Sequence, residues 1–313
     1  MATADLSVPK GWRRYIPIAD WGIAGREALA GYLFMAPALA GLIGFTALPI
    51  IASLVLIFLN YDLLTPPTWA SGSNIGRLFG DPRLLIVYRN TVQLVAGATF
   101  LNNVLGLLLA VGLNRSMPWI LRYLLRTSIF FPVLTTTASL AVVWRFLLTQ
   151  DRGVVNFLLG QIGIDPVPWL SSSRWALLSA TIYDVWKSCG FLMVIYLAGL
   201  QGIPTVYYEA ARIDGAGRLQ QFRNVTLPLI SPTAFFAIVI SLIGAFQIFD
   251  NVWVLTSGGP GDASRTITMY IYEKAFRGFE MGYASAVSFT LFTVLITLTL
   301  LQFWVARRWV HYE

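Results

Sequence analysis

Two long apolar stretches of this 313-residue chain carry polar and ionisable side chains at spacings that place them on one side of a helix. In the first, Thr181, Asp184, Lys187 and Ser188 fall on one helical face, and Asp184 and Lys187, at i and i+3, can neutralise each other. In the second, Gln247, Asp250 and Asn251 share a face beside Phe246, Phe249 and Trp253. An ionisable group at the centre of a bilayer costs roughly 2.5–3.5 kcal/mol on insertion scales, so its presence needs a reason. One reason is a polar path, in which carboxylates and amides bind hydroxyl groups of a solute and aromatic rings cover its apolar face. The other is structural: Asp184 and Lys187 join helices as an ion pair, and Asp250 sits at the outer interface.

A third constellation is the charged island at residues 209–228, EAARIDGAGRLQQFRNVTLP, which lies between apolar runs. Glu209, Arg212, Asp214, Arg218 and Arg223 surround Gly215 and Gly217. Good helix formers fill Glu209 to Ile213, Gly215 permits a sharp turn, and a second helix runs until Leu227-Pro228 stops it. The expected product is a helix lying across one membrane face. Glu209 and Asp214 suit pairing with a partner's Arg or Lys, while Ala210 and Ala211 leave room for close approach. The same residues also suit a solvated loop whose glycines only make turns.

The elements that hold these groups must be membrane spans. Hydrophobic residues make up 57% of the chain and charged residues 12%, which excludes an ordinary soluble domain. The net charge of +7 does not point to nucleic acid, because the basic residues are spread between apolar runs rather than gathered in a patch. Six stretches reach the roughly 20 apolar residues that a span needs. They are Gly31 to Leu59, Val92 to Leu113, Leu125 to Leu148, Trp175 to Leu200, Pro228 to Leu255 and Gly282 to Val305. The fold class is therefore an all-α membrane protein with six transmembrane helices and both termini on one side.

The termini and the second and fourth loops hold twelve Lys and Arg residues; the other three loops hold eight, accompanied by seven carboxylates. The positive-inside rule then places both termini and the 209–228 island in the cytoplasm. Pro37 and Pro49 in the first span and Pro132 in the third predict kinks or local loosening. Trp12, Tyr15, Ile16, Ile18 and Trp21 interleave with Arg13 and Arg14 as a short segment in the membrane interface, and no cleavable signal pattern precedes them. One membrane domain accounts for the chain: an interfacial segment at 1–29, a six-helix domain at 30–306 containing the loop 201–228, and a tail at 307–313. Cys189 is the only cysteine, so no intrachain disulfide forms; the lone His311 supplies neither a catalytic triad nor a metal cluster.

Glu209-Ala210-Ala211, Gly215, Val225, Leu227 and Pro228 match, at full spacing, the EAA loop of the membrane subunits of bacterial ATP-binding-cassette (ABC) importers, with Val225 where Ile is usual. The form EAARIDGA with Phe222 resembles the carbohydrate-uptake branch. Residues 246–276 and 35–50 are similar to the stretch after the loop and the first core span in permeases for oligosaccharides and glycerol phosphate, and the resemblance runs from Tyr32 to Trp309. It implies the type I ABC importer permease fold in the bacterial inner membrane. It also implies coupling to a cytoplasmic ATPase through Glu209, Ala210, Ala211, Asp214, Gly215, Leu227 and Pro228. The partners it implies are a second permease subunit, related or identical, two ABC ATPase subunits and an extracytoplasmic solute-binding protein. As in related permeases, Gly258, Gly259 and Pro260 of the outer loop are expected to contact that binding protein.

No GxxxxGK[ST] stretch occurs, so the chain is expected to be no enzyme and to bind no cofactor, with ATP and Mg held by the partner ATPase. Gln247, Asp250, Asn251, Trp253, Asp184 and Lys187 are the expected substrate path. An Asp beside the lone intramembrane Lys disfavours an anionic cargo, so the expected cargo is a neutral oligosaccharide. A glycerol-phosphate permease is the alternative, and a secondary carrier with Asp184, Lys187 and Asp250 as a proton relay is the rival class.

Overall fold

The computed structural model describes residues 23–310; the segment around Trp12 to Trp21 and His311 lie outside the described residues. The chain divides into two compact units, residues 1–55 and 56–313. In the first, α1 (Ile23–Leu42) continues through a π-helical turn, Ile43–Ala47, into α2 (Leu48–Leu56). Pro49 has no N–H to donate and its ring crowds the carbonyl four residues back; the wider π turn immediately before it accommodates both effects. Pro37 is instead carried inside α1 without a break. The apolar window of this helix, within Glu27–Leu56, has none of its residues buried. A helix apolar all round is built for a lipid or helical environment.

In the second unit a two-residue strand, β1 (Leu59–Asn60), pairs antiparallel with β2 (Thr68–Trp69), followed by α3 (Ser73–Gly80) and the 32-residue α4 (Pro82–Leu113). Asp81 caps α4 by accepting from the Arg83 N–H at 3.0 Å, with Pro82 in the first turn where its missing donor costs nothing. After α5 (Trp119–Leu134), α6 (Thr137–Leu147) and α7 (Val154–Gln161) comes the long α8 (Ala176–Gly202). The charged island forms α9 (Thr205–Ile213), α10 (Arg218–Gln221), a π turn at Phe222–Thr226 and α11 (Leu227–Leu229). Then come α12 (Ser231–Phe246), α13 (Asp250–Thr256), α14 (Ile267–Tyr272) with a π turn at Glu273–Arg277, and α15 (Met281–Ala306).

Among the described residues four helices are long and apolar enough to cross a membrane, and six spans result if each bent pair counts as one. Three sequence expectations are corrected. The third span is not one helix: α5 and α6 meet at 101°. Pro132 lies inside α5, and the break falls after it at Thr135, whose N–H and hydroxyl both turn back to the Pro132 carbonyl. The fifth stretch does not reach Leu255, because α12 ends at Phe246. Nor does Pro228 stop the island's second helix. The π turn at Phe222–Thr226 carries the chain past Pro228 to Leu229, where it bends by 67° into α12.

The centre of this unit is the pairing of α4 with α8, and glycines set how close the neighbours come. A Cβ on Gly106 of α4 would lie 2.9 Å from the Leu192 Cβ of α8, and one on Gly190 of α8 would lie 2.3 Å from the Ile129 carbonyl oxygen of α5. Leu94, Val95 and Ala98 of α4 pack with Ala180 and Tyr183 of α8 toward one end, and Ala110 and Leu113 with Met193 and Tyr196 toward the other. Overpacking a site of this kind costs about 1–3 kcal/mol. Gly190→Ala should therefore lower the melting temperature of the detergent-solubilised protein. Gly112→Ala, with nothing within 4 Å of the added carbon, should leave it unchanged or raise it.

Candidate functional site

The close approach of α4 and α8, with α12 beside them, brings polar groups from three helices into the apolar bundle. Asn102 of α4 donates its amide to Asp184 Oδ2 of α8 at 3.2 Å. Asn102 is only 4% exposed, yet its side-chain oxygen has no hydrogen-bond partner. Both residues line a cavity of about 270 Å³, together with Ser188 and Phe191 of α8 and Ser241 and Gly244 of α12. A second polar node lies against it. Asn103 donates to Ser241 Oγ at 2.7 Å and accepts from the Tyr196 hydroxyl at 2.8 Å, tying α4, α8 and α12 together. The cavity thus offers a carboxylate, an unpaired amide oxygen, two hydroxyls and one aromatic ring. That set matches a hydroxyl-rich solute.

Asp184 and Ser188 both line the cavity, but the Asp184–Lys187 ion pair is not formed. The carboxylate faces Asn102, and Lys187 acts on it only through space. Ser188, one turn from Asp184, lines the cavity with it, whereas Lys187 does not, and Asn102 takes the carboxylate instead. Thr181 is buried and satisfied within its own helix, its hydroxyl donating to the Leu177 carbonyl.

Gln247, Asp250 and Asn251 do not share one helical face. Gln247 caps the end of α12, and Asp250 begins α13 after a break. The carbonyls left near the break are taken by side chains from farther on: the Thr268 hydroxyl donates to the Phe246 carbonyl at 3.0 Å, and that of Thr266 to the Ile248 carbonyl at 3.1 Å. Gln247 and Asp250 are exposed, while Asn251 is buried and accepts from the Val252 N–H at 2.8 Å. Trp253 is half-buried, stacked on Phe249.

The loop that contains Gly258, Gly259 and Pro260 is folded back on itself. Gly258 has φ +79°, and a Cβ there would meet the Met269 side chain at 2.9 Å; the Ser264 hydroxyl donates to the Gly259 carbonyl at 2.8 Å. Arg83 grips Asp262 with two N–H groups at 2.9 and 2.8 Å, and Asn90 donates to the Asp262 carbonyl at 2.6 Å. The same end is closed by Asp81, which accepts from Tyr283 at 2.6 Å and also from the Tyr270 hydroxyl. Glu280 pairs with Lys274 at 3.1 Å and with Arg77. Partial burial alone would push the Asp81 carboxyl up, but the two tyrosine hydroxyls and the backbone N–H groups outweigh it and hold its pKa below the ordinary value.

On the opposite end the island takes the form of a helix, a sharp turn and a second helix. Gly215 has φ +78°, its N–H donates to the Arg212 carbonyl at 3.1 Å, and the Ala216 N–H reaches back to the Ala211 carbonyl at 2.9 Å. That is a Schellman stop, which needs a residue tolerant of left-handed backbone at this position. The next helix starts at Gly217, whose N–H donates to Gln220 Oε1 at 2.7 Å. Tyr208 anchors α9 to the π turn through the Thr226 hydroxyl at 3.0 Å. Glu209, Ala210 and Asp214 remain exposed, as does Ile213 at 87%, while Ala211, Pro228 and the Gly215 turn complete the surface. Leu227 is exposed on the following helix. A larger cavity, about 740 Å³, separates this segment from the end of α4 and is lined by Arg115, Tyr208, Arg218 and apolar side chains.

With this geometry in view, the comparisons with known proteins agree. The model of the family described as binding-protein-dependent transport system inner membrane component matches residues 102–311. A probable ABC transporter permease protein, YesP of Bacillus subtilis, is 36% identical over 293 residues, covering 92% of this chain and 94% of that protein. The lactose transport system permease protein LacF of Rhizobium radiobacter is 35% identical over 285 residues, covering 88% and 94%. A crystallised bacterial alginate ABC transporter, in complex with alginate pentasaccharide-bound periplasmic protein, aligns with a TM-score of 0.79 at 25% identity over 90% of this chain and 96% of that one. The chain belongs to the binding-protein-dependent inner membrane component family, the permeases of ABC transporters.

Asn102, Asn103 and Ser241 are not among the residues expected from the sequence. The two asparagines break a run that is otherwise apolar, and the argument applied to Asp184 would have singled them out.

Because the Asp81 pKa is depressed in the folded state, its contribution to stability is complete above the ordinary carboxylate value, about 3.9, and is lost as pH falls through the depressed one. The melting temperature of Asp81→Asn should lie below that of the parent protein at neutral pH. The gap should close as pH drops below about 4.

Proposed function

We propose that this chain is one membrane half of an ATP-driven importer for a neutral oligosaccharide delivered by an extracytoplasmic binding protein. In this reading there are six spans, the bent α5–α6 pair being the third and α12 the fifth, with both termini and the loop 201–228 in the cytoplasm of a bacterial inner membrane. In this reading residues 30–306 form the permease domain, flanked by the interfacial segment at 1–29 and the tail at 307–313. A second permease subunit closes the path, and two ATPases holding ATP and Mg act from below. The relatives support a sugar as cargo but not its charge: LacF is a lactose permease, whereas the solved importer takes the acidic polysaccharide alginate.

The observation that carries the reading is the 270 Å³ cavity with Asp184, Asn102, Ser188 and Ser241 on three helices. Its carboxylate has no cation within ion-pair distance among the described residues, which suits hydroxyl donors and repels an anion. That favours a neutral sugar over glycerol phosphate. Gln247, Asp250 and Trp253 continue the path outward, and Gly258, Gly259 and Pro260 face the binding protein. The α9 surface, with Glu209, Ala210, Ala211 and Asp214 ahead of Gly215, receives the ATPase. Leu227-Pro228 transmits its movement to α12.

Losing a hydrogen bond to a charged group costs about 1.5–3 kcal/mol, or roughly 10- to 100-fold. Reconstituted with its partner subunits, the complex carrying Asp184→Ala should take up labelled neutral oligosaccharide at least about tenfold less efficiently. Unaltered affinity and rate would remove Asp184 from the path.

At Gly215 a Pro cannot adopt φ +78°, and its N–H would be lost from the Arg212 carbonyl. Gly215→Pro should leave the complex in the membrane but abolish sugar-stimulated ATP hydrolysis; normal stimulation would contradict a coupling role for the turn.

A further inference from the structure

Beyond the break at the end of α12, four aromatic side chains form a continuous row. Phe249 stacks on Trp253 with centroids 5.5 Å apart and planes inclined by 23°, and Tyr272 packs against both, at 5.1 and 5.3 Å. Phe276 extends the row from Tyr272 at 5.4 Å, and the Arg277 guanidinium lies 4.8 Å from the Trp253 ring centroid. Phe249 and Trp253 are half-buried against the core, and the other two rings are exposed. Tyr272 is 36% exposed and Phe276 55%, while the opposite face of α13, with Asn251, Val252 and Leu255, is buried.

The surroundings decide what the exposed rings meet. Gly244 lines the central cavity; Gln247, three residues on, is exposed, and so is Asp250, which begins the helix that carries Trp253. Gln247 and Asp250, both exposed, flank Phe249 in the chain, and an exposed carboxylate argues for water rather than hydrocarbon, because a charge facing lipid is costly. Aromatic faces edged by polar groups are suited to pyranose rings, whose C–H faces stack while their hydroxyls bind the rim. The polar groups adjoin the cavity at one end, and the rings run away from it.

We infer that Phe249, Trp253, Tyr272 and Phe276 form an outer acceptor subsite on which successive sugar rings of an oligosaccharide stack before entering the cavity of Asn102 and Asp184. Asp250, Gln247 and Arg277 supply its polar edges. This rests on the sugar-import reading above and adds a site to it.

The test uses the whole complex in proteoliposomes, with permease, partner permease, ATPase and binding protein, and a panel of radiolabelled lactose, maltose and maltotriose. Tyr272→Leu and Phe276→Leu keep apolar bulk but remove the ring, and Phe276→Tyr restores it. The expected result is that the Leu variants assemble and transport with about five- to tenfold lower efficiency, with a larger loss for maltotriose than for the disaccharides, while Phe276→Tyr transports as the parent. Equal uptake by parent and Leu variants would overturn the subsite and leave the import reading intact. Failure of the partner permease to copurify with the Leu variants would overturn it in favour of a subunit contact. Uptake of none of the sugars by the parent complex would overturn the sugar reading and this inference with it.

Discussion

A polar side chain inside an apolar helical bundle must find a partner, and the hydrogen bond from Asn102 to Asp184 is where that constraint acts most strongly in this protein. It requires α4 and α8 to lie close together, which Gly106 and Gly190 allow by leaving out the carbons that would collide with Leu192 and Ile129. It also leaves something unfinished: the Asn102 oxygen is buried without a donor, at the wall of a cavity. In a purely structural bridge both ends would be satisfied. In the proposed function this spare acceptor takes a hydroxyl of the cargo.

The same accounting of backbone groups explains why the spans are broken where they are. A helix can end within a membrane protein only if its last carbonyls are taken up, and α12 can stop at Phe246 because Thr266 and Thr268 supply the donors. That stop turns α13 and sends the Phe249 to Phe276 row outward from the cavity. At the other end, the Schellman turn at Gly215 stops α9 and leaves its Glu209 surface free of the bundle. The breaks therefore create both the path and the surface proposed to drive it. The end that bears Asp81 is held by a different device: Asp81 caps α4 while accepting from Tyr270 and Tyr283, and Arg83 holds Asp262, so the loop of Gly258 to Asp262 is fixed to the first turn of the helix that carries Asn102.

Much of this was legible in the sequence because local chemistry dictates it. The turn at Gly215 follows from glycine's backbone freedom, and the loosening near Pro49 from its missing donor. Asp184 stood out through the cost of a charge in an apolar run. What was not legible depends on contacts between distant residues. Nothing within residues 228–255 announces the stop at Phe246, since the donors that permit it lie about 20 residues on. Pro132 marked the third span for a kink, yet the 101° break falls at Thr135. The pairing of Asp184 with Lys187 looked sufficient on one helix; Asn102, on another helix, takes the carboxylate instead.

The most direct test is to trap the assembled transporter with sugar-loaded binding protein and a non-hydrolysable ATP analogue, and to determine its structure by electron microscopy. The account predicts density for a sugar ring between α4, α8 and α12, within hydrogen-bonding distance of the Asn102 oxygen and the Asp184 carboxylate, and an ATPase against α9 at Glu209. A sugar resolved elsewhere in the membrane, with that cavity filled by side chains, would contradict it.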